Sequence, residues 1–471
     1  MRYGSRIDTR KASHGNSMDA SPTQRRLGPI LLAPGVTPGQ ILVFVLVVVA
    51  ALCIVTFMPM MQAFVFTEIL HVPKGEQGRL AGNLVTLQQI AVLLFVGLSG
   101  SLTDRIGRKR VLVMAIMGYV FCLIAYPLAG TVAMLFVLQF VFGMMSTGHI
   151  AGSATMIVDY PDNASRGKFV ALMLLIQAAA TALLVGWVGA RLPSWLVGSG
   201  IGTAAAGRYA FWAVAALGIF GAVLALLLLK DPPRIGAPRA APAANLGEAL
   251  RTFVANLRLV VAHGRRNARF GLVMLMGFVI RSDYFVMLSF VSLWVVNAAT
   301  GQGVSSVEAL KTAGALMVTF KLATAIAQLL FGFVADRVNR SVLLVVSLAL
   351  TGLSLVSTML VHDVFGLGMF VVVAAIGVTE SALIVCGQAI LGEEAPVELR
   401  GSALGIFYFC GTLGVVVMSF VSGLLFDKVG YSAPFVMVGA LNLVFALLAV
   451  ALVLRRRGEI MATPAGELHA R

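Results

Sequence analysis

Apolar residues run along this chain in blocks of about twenty, broken by short polar turns. The blocks fall near residues 41–66, 80–102, 111–129, 132–158, 168–190 and 208–229. After a polar break they resume near 270–296, 310–335, 341–361, 365–391, 402–425 and 433–454. A helix rises ~1.5 Å per residue, so about twenty residues cross a hydrocarbon core of ~30 Å. An open sheet in that medium would leave its edge amides unpaired, and barrel strands alternate over only ~10 residues. The pattern therefore predicts an all-α membrane protein with 12 transmembrane helices.

The break sets the expected domains: a tail over 1–38, a six-helix half over 39–229, a linker over 230–269, a second six-helix half over 270–454 and a tail over 455–471. Within the linker, Leu246, Leu250, Phe253, Val254, Leu257 and Val261 recur at helical spacing, opposite Arg251 and Arg258. That spacing predicts an amphipathic helix able to lie in the membrane interface.

Composition agrees with burial in lipid. Hydrophobic residues make up 59% of the chain and charged residues 12%, half of the ~25% usual in soluble domains. Each of the four cysteines lies inside an apolar run, where a small buried hydrophobe is expected rather than a disulfide framework. The basic first 38 residues precede an apolar run too long for a signal-peptide core, which predicts a retained first helix behind a mobile cytoplasmic tail. With the N-terminus placed inside, the inner loops and tails hold 27 basic residues and the outer loops six. Such a bias predicts a multi-pass protein of a bacterial inner membrane with both termini cytoplasmic. It also accounts for the net charge of +15, which then implies no nucleic-acid partner.

Between the second and third blocks the chain reads Gly100-Ser-Leu-Thr-Asp104-Arg105-Ile-Gly107-Arg108-Lys109-Arg110. A degraded copy, Gly332 to Arg340 with Asp336 and Arg337, lies 232 residues on. Asp159, Arg166 and Gly167 likewise map to Glu393, Arg400 and Gly401 at an offset of 234, as does Gly143 to Gly377. The nearly constant offset indicates an internal duplication. The first run resembles the cytoplasmic signature G-x-x-x-D-R-x-G-R-K/R of the major facilitator superfamily. The resemblance implies two pseudo-symmetric six-helix bundles, a small-molecule site between them and movement by alternating access. It further implies an inner-face gate from Gly100, Asp104, Arg105, Gly107, Arg108, Asp159 and Arg166, with Asp336, Arg340, Glu393 and Arg400 as its second copy. Asp104 could cap a helix start and Arg108 could pair with Asp159. Two family features are missing. Gln139 stands where an arginine is usual on the fourth span, and the fifth span, read as Phe169 to Ala190, lacks the proline signature of drug/proton antiporters.

Ionisable groups at membrane depth usually face a cavity or a partner. Four lie in the second half: Arg281 and Asp283 on span seven, Lys321 on span eight and Glu380 on span ten. In this fold those spans line the central cavity, whereas spans three, six, nine and twelve face lipid. Arg281 and Asp283 are about 200° apart around the helix, so one faces the cavity and the other a neighbouring helix. Two readings remain open: an Asp283–Lys321 ion pair that satisfies both charges, or a site in which Arg281 or Lys321 binds an anionic group while Asp283 or Glu380 takes a proton. The first half offers softer polarity in Gln88, Gln89, Ser146, Thr147, His149 and Gln177, of which His149 and Gln177 join the candidate site. No phosphate loop, metal-ligand cluster or nucleophile triad appears, so neither enzyme nor cofactor chemistry is expected. The expected function is a monomeric, proton-coupled carrier of a small organic anion or zwitterion. Drug or metabolite efflux and lipid flipping are the alternatives.

Overall fold

The computed structural model describes residues 26–28, 30–162, 165–231, 246–335, 337–395 and 400–462. Its helices are α1 (Pro38–Phe64), α2 (Lys74–Ile106), α3 (Arg108–Ala125), α4 (Val132–Asp159), α5 (Arg166–Thr181), α6 (Ala190–Gly198) and α7 (Thr203–Leu228), followed by α8 (Leu246–Arg266), α9 (Ala268–Gly301), α10 (Ser306–Ala335), α11 (Arg340–Val356), α12 (Leu367–Glu394), α13 (Arg400–Lys428) and α14 (Ala433–Ala462). A π-helical stretch, Ala182–Gly189, joins α5 and α6 into one span, and α8 is the linker helix. Twelve spans are thus long and apolar enough to cross a membrane. Six precede α8 and six follow it.

Local chemistry sets where several of these helices begin. Thr37 caps α1: its hydroxyl accepts from the Gln40 amide at 3.2 Å while its own amide donates to Gln40 Oε1 at 3.0 Å. Pro38 at the first helical position has no amide to leave unpaired. Asn267 caps α9 by accepting from the Phe270 amide at 3.2 Å. Side chains such as Leu94, Val137, Leu227, Ile326 and Leu447 are exposed, as expected of a surface solvated by hydrocarbon.

The duplication is visible in the packing. Gly143 brings α4 against the α2 backbone, where a Cβ would strike the Gln88 carbonyl. Its repeat equivalent, Gly377, brings α12 against α10 in the same way, at the Phe320 carbonyl. The halves are joined on the face opposite the Gly100–Arg110 loop. There Asp427 on α13 accepts from the Gly78 and Arg79 amides of α2 at 2.8 and 2.7 Å. Asn297 on α9 donates to Gln77 at 3.1 Å, and Ser306 on α10 donates to Glu68 at 2.6 Å. Small residues permit the approach: Gly82 and Gly423 leave no room for a Cβ between α2 and α13.

Two sequence expectations change. The fifth span continues to Gly198 and contains Pro193, because the polar Arg191 and Ser194 extend the helix rather than end it. The segment before α1, expected to be mobile, is pinned from residue 30 onward. Ile30, Leu32 and Val36 are buried, the Ala33 amide donates to the Tyr160 carbonyl at 2.9 Å, and the Asp162 amide donates to the Leu31 carbonyl at 2.9 Å. Those apolar residues have a core to join at the end of α4, which a polar-tail reading overlooks.

Candidate functional site

A cavity of about 380 Å³ lies between the halves. Its walls come from the middle of each contributing helix and from the stretch leading to the Gly100–Arg110 side. The first half supplies Gln88 and Gln89 from α2, Tyr119 from α3, and Ser146 and His149 from α4. Arg281, Tyr284 and Phe285 from α9, Glu380 and Gln388 from α12, and Phe407 and Tyr408 from α13 form the opposing wall.

Glu380 is 1% exposed, and among the described residues neither carboxylate oxygen has a hydrogen-bond partner. Arg281 lies with its guanidinium 5.7 Å from the Phe285 ring centre, and its Nε is likewise unpartnered. The neighbouring Gly411 makes room for it: a Cβ there would come within 3.1 Å of the Arg281 Cβ and Cδ. Across the cavity, His149 Nε2 and Gln89 Oε1 are buried without partners. Unsatisfied donors and acceptors therefore face one another across a largely apolar space, an arrangement a polar-headed ligand or water would complete.

The remaining candidates are placed elsewhere. Asp283 is fully buried and turned away from Arg281, where it accepts from Asn442 Nδ2 of α14 at 3.1 and 3.0 Å. Lys321 donates to the Tyr284 hydroxyl at 2.6 Å and sits 4.4 Å from that ring's centre. Asp283 and Lys321 are thus held by different partners, and α10 contributes no lining residue to the cavity, contrary to the expected role of span eight. Lys321 reaches the site only through Tyr284, which lines it. Gln177 on α5 is half-buried and does not line the cavity. Tyr119, in turn, brings α3 into a cavity from which span three was expected to be absent; the apolar α3 carries one inward-facing hydroxyl.

On the Gly100–Arg110 side, Arg108 pairs with Asp159 at 2.9 Å, joining the start of α3 to the end of α4. Gly107 has φ +97°, a left-handed turn that favours glycine. The Lys109 amide just beyond it donates to Asp231 Oδ1 at 2.7 Å, so an acid from the end of α7 serves the α3 N-terminus. Asp104 and Arg105 are exposed in the last turn of α2 and Gly100 stands in open space. In the second half, Arg340 pairs with Glu393. Asp336 and the side chains of Arg166 and Arg400 lie outside the described residues.

A sequence profile of the Major Facilitator Superfamily matches residues 43–310 and 273–469. The chain belongs to this superfamily. Among its relatives, it is 23% identical over 420 residues to the magnetosome protein MamH of Paramagnetospirillum magneticum, covering 87% of this chain and 92% of that one. It is 24% identical over 408 residues to a gallate transporter of Pseudomonas putida, covering 82% and 85% respectively. The crystal structure of the nucleoside transporter NupG superimposes with a TM-score of 0.67 at 14% identity, covering 88% of this chain and 99% of that one. That likeness supports the fold alone. The protein is accordingly a multi-pass facilitator that moves small solutes and is not an enzyme.

Several residues that shape the facilitator's site escape a reading based on charge. Gln139, in place of the usual arginine, donates to Gln88 at 2.6 Å and accepts from Gln62 at 3.2 Å, and Gln62 also donates to the Tyr126 hydroxyl at 3.1 Å. The vacated charge is replaced by a buried chain of amides. Asn442, Tyr284 and Asp231 are equally decisive, and each acts on a residue far away in sequence. Only the distance of Asn442 from any loop, as the tenth residue of the last apolar run, hints at a buried partner.

Proposed function

We propose that this facilitator carries a small organic anion across the membrane, coupled to a proton taken up at Glu380. The observation that carries this reading is the Glu380 carboxyl. It is buried, unpartnered among the described residues, and shares one cavity with Arg281. A carboxyl so placed can alternate between a proton and a substrate donor, while Arg281 offers a fork of donors to an anionic group. The aromatic lining, Tyr119, Tyr284, Phe285, Phe407 and Tyr408, suits a planar acid, in keeping with the relative that carries gallate. His149 and Gln89 would hold the far end of the ligand by hydrogen bonds.

The contacts between α2 and α13 on one face, together with lining that extends towards the other, fit the phase of alternating access in which the site opens on the Gly100–Arg110 side. Arg108–Asp159 and Arg340–Glu393 would then be the halves' own braces, re-formed in each cycle. The positive-inside bias makes that side cytoplasmic, with both termini there and the protein acting as a monomer in a bacterial inner membrane. The test is uptake by proteoliposomes of aromatic acids, aliphatic acids and nucleosides, with and without a pH gradient. Gradient-driven accumulation confined to carboxylates is expected. Uptake of neutral solutes only, or uptake indifferent to the gradient, would sink the reading.

A further inference from the structure

A second apolar cavity, of about 510 Å³, lies away from the central site, in the angle between α8, α9, α13 and α14. Val260, Leu275, Cys410, Leu448 and Leu452 line it, and Arg265 stands at its mouth. The angle is fixed by a tight elbow. Gly264 and Gly271 meet backbone to backbone, and Asn267 and Arg269 both donate to Glu394 at 2.7 Å. Leu275 and Cys410 are seven and ten residues from the starts of α9 and α13, so the groove runs ~10–15 Å into the membrane, about the depth of one leaflet.

Charge says what fits it. The linker helix α8 carries Arg251, Arg258, Arg265 and Arg266 against the single acid Glu248. The described arginines of α8 are exposed, as are the apolar Val254, Leu259 and Val261. Four residues past Leu448, α14 reaches Leu452, and the sequence beyond it reads Arg455-Arg456-Arg457. Helix α8 thus brings positive charge to the mouth, at the level where lipid phosphates lie, beside a groove lined mainly by hydrocarbon. We propose that this groove is a binding site for one anionic phospholipid, with an acyl chain between α8 and α14 and the phosphate against Arg265. The occupied groove would lie directly behind the cavity wall, since α9 and α13 pass on from it to the Gly277–Phe407 contact one turn before Arg281.

The test uses the full chain reconstituted with equal phosphatidylglycerol and phosphatidylcholine of matched acyl chains, extracted in mild detergent and weighed by native mass spectrometry. One retained lipid is expected, phosphatidylglycerol favoured roughly tenfold. Arg265→Gln with Arg266→Gln should bring the ratio to unity, Arg265→Lys with Arg266→Lys should keep it, and Ala451→Phe should expel both lipids. The lysine variant separates loss of charge from misfolding, and excess glycerol phosphate should displace nothing. Equal retention of the two lipids by the unsubstituted chain would overturn the proposal. So would an unchanged ratio in the glutamine variant, or displacement by glycerol phosphate, which would mark a site for a soluble anion.

Discussion

The two halves of this protein descend from one repeat, yet they solve burial of polar groups in opposite ways. In the first half the membrane-depth polar groups are mostly amides and hydroxyls: Gln62, Gln139 and Gln88 bond in a chain, and Ser146 faces the cavity, as does the imidazole of His149. In the second half Arg281, Asp283, Lys321 and Glu380 are all ionisable, and two of them are tied to neutral partners, Asn442 and Tyr284. Ser146 and Glu380 are repeat equivalents, so the difference sits at matched positions of the same scaffold. An amide chain can hold shape but cannot carry a net proton across the membrane. On the proposed reading, one wall aligns the ligand and the other moves charge.

Substitutions can sharpen that division. The largest effect is expected from Arg281→Gln, because a hydrogen bond to a charged group contributes about 1.5–3 kcal/mol, or roughly 10–100-fold in substrate affinity. Isothermal titration or counterflow on the purified carrier would measure it. Asn442→Leu should come next. It strips Asp283 of its described side-chain partner and should lower stability by about 1–3 kcal/mol in thermal melts, with substrate affinity little changed. Gln139→Leu should destabilise by about 1–2 kcal/mol through the orphaned Gln88 and leave the proton-to-substrate ratio as it was. A changed ratio in that variant would break the division between the walls. The smallest effect is expected from Gly411→Ala, whose methyl presses on Arg281 and should weaken substrate binding about fivefold.

The twelve spans, their division into six and six, and the four second-half charges were all legible in the sequence, because hydrocarbon thickness fixes span length and a buried charge is conspicuous in an apolar run. Which way each charge points was less so. The 200° separation of Arg281 and Asp283 required one of them to leave the cavity, but nothing local indicated that Asn442 would receive Asp283. Lys321 reads as a cavity cation until the flexible ammonium is seen folded onto Tyr284. The pinned segment from Ile30 to Val36 was hidden for another reason: its apolar residues are too few to form a run, and their partners at Tyr160 and Ser165 lie more than a hundred residues away.

The central claim is that Glu380 alone carries the coupled proton. It is tested most directly by following the external pH of lightly buffered proteoliposomes when a transported carboxylate is added, for the unsubstituted chain and for Glu380→Gln. The expected result is a substrate-dependent alkalinisation that vanishes in the glutamine variant, while substrate exchange across the same vesicles persists. An undiminished pH signal in Glu380→Gln would contradict it.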